Sequence, residues 1–256
     1  MHEAAFSPRR LRGLLTIGLL CWSTLTTAAP ADVETALAHP DRADADRTRD
    51  ASDHPAEVLA FAGLETGDVV LDVLGAAGYY SEIIGRAVGD GGRVYLHNNS
   101  VYAAFAGDAL EQRLAAGRLP NVVRLDQPLD ELDVPAGSVD LAIMIMGWHD
   151  MYWTDERWPD EDVGEFVERL GTALAPDGAL LIVDHAAAAG TGISAVDALH
   201  RIEEAAVIDA LTAAGFRLAD SSDLLRNPDD DRTLSVFDPQ IRRRTDRFVL
   251  RFDPPG

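Results

Sequence analysis

From residue 55 onward, short apolar runs alternate with stretches whose apolar positions recur at helical spacing. The runs at 69–73, 93–97, 121–125, 139–146 and 179–183 read as strands buried on both faces, because they are nearly continuous in aliphatic residues. Between them, Tyr80, Ile83, Ile84, Ala87 and Val88 fall on one face of a helix, as do Val163, Phe166, Val167, Leu170 and Leu174. A further helix runs through Leu110 and Leu114. Pro55 opens a short helix carrying Val58, Leu59 and Ala62, since proline suits a first helical position. The segment 175–178, Ala-Pro-Asp-Gly, reads as a turn.

The tail breaks this rhythm. A helix over 202–214 is stopped by Gly215, a strand follows at 216–220, and residues 247–252 alternate Phe248, Leu250 and Phe252 on one face after a long excursion. Five strands, each followed by a helix, and a closing pair predict one α/β domain: a seven-stranded, mostly parallel sheet with helices on both faces. The polar segment 32–53 has no sustained apolar period and is expected to be irregular.

Residues 1–31 stand apart from that domain. Arg9, Arg10 and Arg12 precede an apolar run from Gly13, and small residues close it at Ala28-Ala29-Pro30-Ala31, the layout of a secretory signal peptide with cleavage before Asp32. The run is short for a membrane span, so a periplasmic or secreted protein without stable membrane association is expected. Cys21, the single cysteine, lies inside this leader; the exported chain has no thiol for a disulfide, nucleophile or metal ligand. All 22 basic residues are arginine, which excludes lysine Schiff-base chemistry. The net charge of −21 argues against nucleic acid and anionic lipid as partners.

Chemistry is suggested first by Val69-Val-Leu-Asp-Val-Leu-Gly-Ala-Ala-Gly78 and the helix after it. A strand that ends in small residues at a helix start leaves main-chain N–H groups for a ligand. A dinucleotide fingerprint counted from Gly75 would need glycine at Ala77 and Tyr80, so a nicotinamide cofactor is disfavoured.

Asp72 to Glu82 resembles motif I of class I S-adenosylmethionine-dependent methyltransferases, in the form carried by exported, predicted bacterial methyltransferases. Further matches are residues 50–59, Gly147-Trp148-His149-Asp150, Val183-Asp184-His185, Leu225-Arg226-Asn227-Pro228 and residues 247–252. The resemblance spans nearly all of the exported chain and implies a Rossmann-like sandwich whose last strand is antiparallel. It further implies that Asp72, Gly75, Ala77 and Gly78 contact the amino acid portion of S-adenosylmethionine, that Asn98 stands where an acid usually holds the ribose, and that Asp126 meets the adenine amino group.

Methyl transfer requires a cation held in line with a nucleophile that sheds a proton and its water. Tyr79 is expected to offer its ring face to that cation. His149, Asp184 and His185 follow the fourth and fifth strands, at the edge where open α/β sheets bind ligands. His149 is the expected general base, His185 the second choice, and Asp184 the orienting partner. His200 and Arg201 are expected to hold a carboxylate or phosphate of the acceptor, a small molecule or envelope component, and Trp148 and Trp153, with Tyr152 and Trp158, to wall its pocket. Asn98 and Ala77 also admit a rival, a non-catalytic binding protein that keeps the fold. A zinc hydrolase built on His149, Asp184 and His185 is disfavoured, because their spacing matches no metal motif.

Overall fold

A computed structural model describes residues 1–2, 28–159 and 161–256. The leader therefore lies almost wholly outside the described residues. Ahead of the sheet come α1 (Val33–Leu37), α2 (Asp44–Asp53) and α3 (Pro55–Ala62). The body then runs β1 (Val69–Val73), α4 (Tyr79–Val88), β2 (Arg93–Asn98), α5 (Ser100–Leu114), β3 (Val122–Asp126) and β4 (Val139–Ile145). It continues with α6 (Val163–Ala173), β5 (Leu174–His185), α7 (Val196–Leu199), α8 (Glu204–Ala213), β6 (Arg217–Ser222) and β7 (Arg247–Asp253).

The seven strands form one sheet in the order β3-β2-β1-β4-β5-β7-β6. The first five pair in parallel, and β7 inserts antiparallel between β5 and β6. Alternate strand residues feed two cores, as the two-residue period of a strand requires. Leu71, Val73, Ala142, Met144, Leu180 and Ile182 join Phe166 and Leu170 of α6 on one side. Val70, Leu141, Ile143, Leu181 and Val183 join Ile83 and Ile84 of α4 and Leu59 of α3 on the other. Each fully buried isoleucine or leucine contributes about 1.5–3 kcal/mol, so these two layers carry most of the stability.

Three expectations are corrected. Residues 32–53 are largely helical, held by ion pairs where an apolar stripe is lacking: Arg42 bonds Asp50 at 2.7 Å, and Arg113 of α5 reaches back to Asp46 at 2.7 Å. Residues 175–178 do not break the chain; β5 runs through them and absorbs the irregularity as a register shift against β4 between Val139 and Leu141. The last helix starts at Glu204 and not at residue 202, because Ile202 bridges in parallel to Ala186 beyond β5. Among the described residues, no helix is long and apolar enough to cross a membrane.

Candidate active site

The bend between β1 and α4 is bare main chain by necessity. A side chain at Gly75 would place its Cβ 2.7 Å from an Asp72 carboxylate oxygen, and one at Gly78 would meet Leu96 at 2.7 Å. Asp72 is buried and accepts a hydrogen bond from Ser81 at 2.5 Å; burial pushes its carboxyl up to about 6, against the pull of that bond.

The amides of this bend are, however, largely satisfied within the protein. Gly75 N donates to His97 O at 3.0 Å and Gly78 N to Gly75 O at 2.9 Å. Ala76 N donates to Asn98 Oδ1 at 2.8 Å, and Asn98 Nδ2 donates back to Ala76 O at 3.0 Å. Fully buried, Asn98 thus has its carboxamide engaged by the bend. On the outer side, Arg113 Nε donates to Ala77 O at 2.5 Å.

Leu74 (φ 53°) and Ala76 (φ 50°) are left-handed, as is Gly78 (φ 77°). For a residue with a Cβ this region costs about 1–2 kcal/mol, so the bend keeps a glycine-type backbone with side chains at two of three such positions. Leu74 is buried and would touch a Cβ at Gly147, after β4, at 3.4 Å. Sequence reading placed the departure at Ala77, because dihedral angles are not visible in residue order.

Tyr79 is buried and donates its hydroxyl to Asp50 at 2.7 Å. The Arg49 guanidinium carbon lies 4.0 Å from the ring centroid, so the chain's own arginine stacks on the ring expected to favour a ligand's cation. At the end of β3, Asp126 is exposed and pairs with Arg124 at 2.7 Å.

The carboxyl ends of β4 and β5 carry a continuous polar chain. Tyr102 of α5 donates to Asp150 Oδ2 at 2.6 Å, and Asp150 Oδ1 lies 3.2 Å from His149 Nε2. His149 Nδ1 lies 2.7 Å from Asp184 Oδ1, while the His149 main-chain N–H donates to Asp184 Oδ2 at 2.9 Å. Burial of the ring opposes its charge, but the Asp184 carboxylate and the bonds from both aspartates outweigh it and push the imidazole up to about 10. Two carboxylates thus favour the protonated ring at the position where a general base is expected.

His185 is the opposite case. Burial, then repulsion from His149, Arg247 and Arg201, holds it well below the usual imidazole range, so it is uncharged. Its Nδ1 lies 2.8 Å from Thr245 Oγ1, and Nε2 has no partner among the described residues. The rings of His149 and His185 are 5.8 Å apart, and those of His149 and His200 are 5.6 Å apart.

His200, half-buried and in a left-handed conformation, packs against Trp153 at 5.2 Å and Phe237 at 4.8 Å. Trp148 is fully buried in the core, and its Nε1 has no acceptor among the described residues. Tyr152, Trp153 and Trp158 line a separate, shallow cavity of about 550 Å³.

Arg201 does not reach the site. Fully buried, it donates to Ala186 O and Leu234 O at 3.0 Å and pairs with Asp230 at 2.9 Å. It fastens the long excursion between β6 and β7 to the end of β5. Tyr102, Thr245 and Phe237 join the site without having been singled out; Tyr102 and Thr245 lie close to Asn98 and to the segment 247–252, but nothing in residue order shows that they face the histidines. Among the described residues, no group of three or more histidines, cysteines or acids is arranged to hold a metal.

No protein-family model and no curated protein matches the chain. Solved structures do. An S-adenosylmethionine-dependent methyltransferase from Aquifex aeolicus superposes with a TM-score of 0.58 at 21% identity, over 86% of this chain and 97% of its own. Geranyl diphosphate C-methyltransferase from Streptomyces coelicolor, solved with Mg2+, geranyl diphosphate and S-adenosylhomocysteine, gives 0.55 at 13% identity, over 89% and 88%. An arsenic(III) S-adenosylmethionine methyltransferase from Chlamydomonas reinhardtii gives 0.53 at 17% identity, over 90% and 75%. The strand order, the antiparallel β7 and these superpositions identify the fold as the Rossmann-like sandwich of class I methyltransferases.

Proposed function

We propose that the chain is an exported S-adenosylmethionine-dependent methyltransferase that acts on a small-molecule or envelope acceptor. The observation that carries this reading is the Tyr102–Asp150–His149–Asp184 chain beside an uncharged His185, at the sheet edge where this fold binds ligands. Burying an ion between two carboxylates costs desolvation that a purely structural corner avoids with apolar side chains.

The residues fit the cofactor in part. Asp126 is exposed at the end of β3, whereas the Cβ directions of Gly75 and Gly78 are filled by Asp72 and Leu96 of the chain itself. Asn98 keeps a second lone pair on Oδ1 and a second N–H on Nδ2 beyond its bonds to Ala76, but the side chain is fully buried, so a ribose hydroxyl reaches it only if the bend shifts. When bound, S-adenosylmethionine supplies a methyl group carried on a sulfonium. The chain's own residues do the rest. His149 fixes Asp184, and burial, reinforced by the charge of His149, keeps His185 unprotonated. His185 Nε2 takes a proton from an acceptor that carries one, and Trp153 and Phe237 place aromatic rings on the His200 side.

The engagement of Asn98 favours a second reading, a binding protein that keeps the fold without transfer. Titration calorimetry with S-adenosylmethionine and S-adenosylhomocysteine separates the two. Binding by both ligands is expected, and at about a hundredfold over the dissociation constant it adds roughly 2.7 kcal/mol of stability. No heat and no thermal shift at millimolar ligand would leave the second reading. Export is checked by expressing the full chain with its own leader and sequencing the mature N-terminus, expected at Asp32.

A further inference from the structure

Arginines gather in a cavity of about 260 Å³ beside His185, lined also by Asp53, Met146, Val236, Phe237 and Thr245. They are Arg49 of α2, Arg242 and Arg243 of the excursion, and Arg247 at the start of β7. Asp53, the acid in that lining, is already shared: Arg49 Nε lies 2.5 Å from one of its oxygens and Arg247 Nη1 3.0 Å from the other. Arg247 is buried, and its Nε–H has no acceptor among the described residues. Arg242 and Arg243 make no side-chain hydrogen bond or ion pair among the described residues. A molecule of net charge −21 thus concentrates unneutralised cations in one hollow, against the trend of its whole surface.

We infer that this cavity binds an organic anion, its negative head on Arg242, Arg243 and Arg247 and its apolar body against Phe237, with the bound molecule lying beside His185. Guanidinium groups suit carboxylate and phosphate heads, and a buried N–H without an acceptor gains most from such a partner. Phe237 is 58% exposed and stands edge-on to His200 at 4.8 Å, which gives the mouth an apolar wall. As an assignment of the methyl acceptor, this rests on the function proposed above.

The test is calorimetric titration of the full chain with benzoate, phenyl phosphate and inorganic phosphate, with benzamide as the neutral control. An anionic probe should bind where benzamide does not, and more weakly at about 0.15 M salt than at low ionic strength. Whether benzoate or phenyl phosphate binds more tightly identifies the preferred head group. The double variant Arg242→Ala/Arg243→Ala alters exposed, unpaired side chains, so its melting temperature should hold while affinity falls about tenfold or more. Phe237→Ala should weaken the two aromatic probes and leave inorganic phosphate unchanged. Absence of anion-selective binding, or unchanged affinity in the double variant, overturns the inference. No cofactor takes part, so this failure and a failure to bind S-adenosylmethionine are read independently.

Discussion

Asn98 and Ala76 form a closed pair, the side-chain amide accepting from the main-chain N–H at 2.8 Å and donating to the carbonyl at 3.0 Å. The pair ties the end of β2 to the bend after β1, and so determines whether that bend is available to a ligand. Asn98→Asp keeps the acceptor, removes the donor and sets a buried carboxylate against the Ala76 carbonyl. Stability should fall by about 1–3 kcal/mol in urea unfolding. A variant as stable as the parent would show that the two bonds do not hold the bend.

His149 gives a pH dependence with a defined sign. Its folded pKa, about 10, lies above the ordinary imidazole value of about 6.5, so the folded chain binds a proton that the unfolded chain releases. The stabilisation is fully present below about pH 6.5 and is lost as pH rises toward 10, with a limiting slope of about 1.4 kcal/mol per pH unit. His149→Gln should flatten the difference curve in that window. Unfolding midpoints measured from pH 6 to 10 on both proteins check this, and parallel curves would contradict it.

Ala76 is left-handed at φ 50°, and no ligand is needed to see the strain. Replacement by glycine removes a Cβ penalty of about 1–2 kcal/mol and adds about 0.5–1 kcal/mol of unfolded-state entropy. Ala76→Gly should therefore be neutral to slightly stabilising, whereas Leu74→Gly should lose about 2–5 kcal/mol because it also empties a buried leucine site. Equal effects of the two substitutions would contradict this account.

Arg201 and Asp230 are a fully buried ion pair at 2.9 Å. Arg201→Met leaves Asp230 buried without its cation and should cost about 3–5 kcal/mol. Amide exchange should rise chiefly between residues 226 and 246, since Asp230 also accepts from the Asp246 N–H at 2.6 Å. Unchanged exchange there would return Arg201 to a role in the site.

Much of the architecture was legible in residue order. Nearly continuous aliphatic runs marked the five parallel strands, and alternation at Phe248, Leu250 and Phe252 marked the closing one; the sequence did not show that β7 is buried on both faces, with Val249 in the opposite core, or that edge strand β3 is partly exposed. The helices at 33–37 and 44–53 were not legible. The first is five residues long, too short to show a period, and packs Val33 and Ala36 on the core; the second is polar and is supported by partners such as Arg113, 67 residues from Asp46.

The sequence also brought His149, Asp184 and His185 to one edge of the sheet, since strand ends are countable. It did not reveal which histidine is charged, because a pKa depends on neighbours in space: His149 lies between two carboxylates and His185 beside cations. The run Arg242-Arg243-Arg244-Thr245-Asp246-Arg247 was a readable signal in so acidic a chain, yet only folding turned Arg242, Arg243 and Arg247 toward His185 and sent Arg201 into the core. Periodicity is a property of neighbours along the chain and survives in one dimension, whereas charge state and cavity shape depend on three-dimensional distances and are set by tertiary packing.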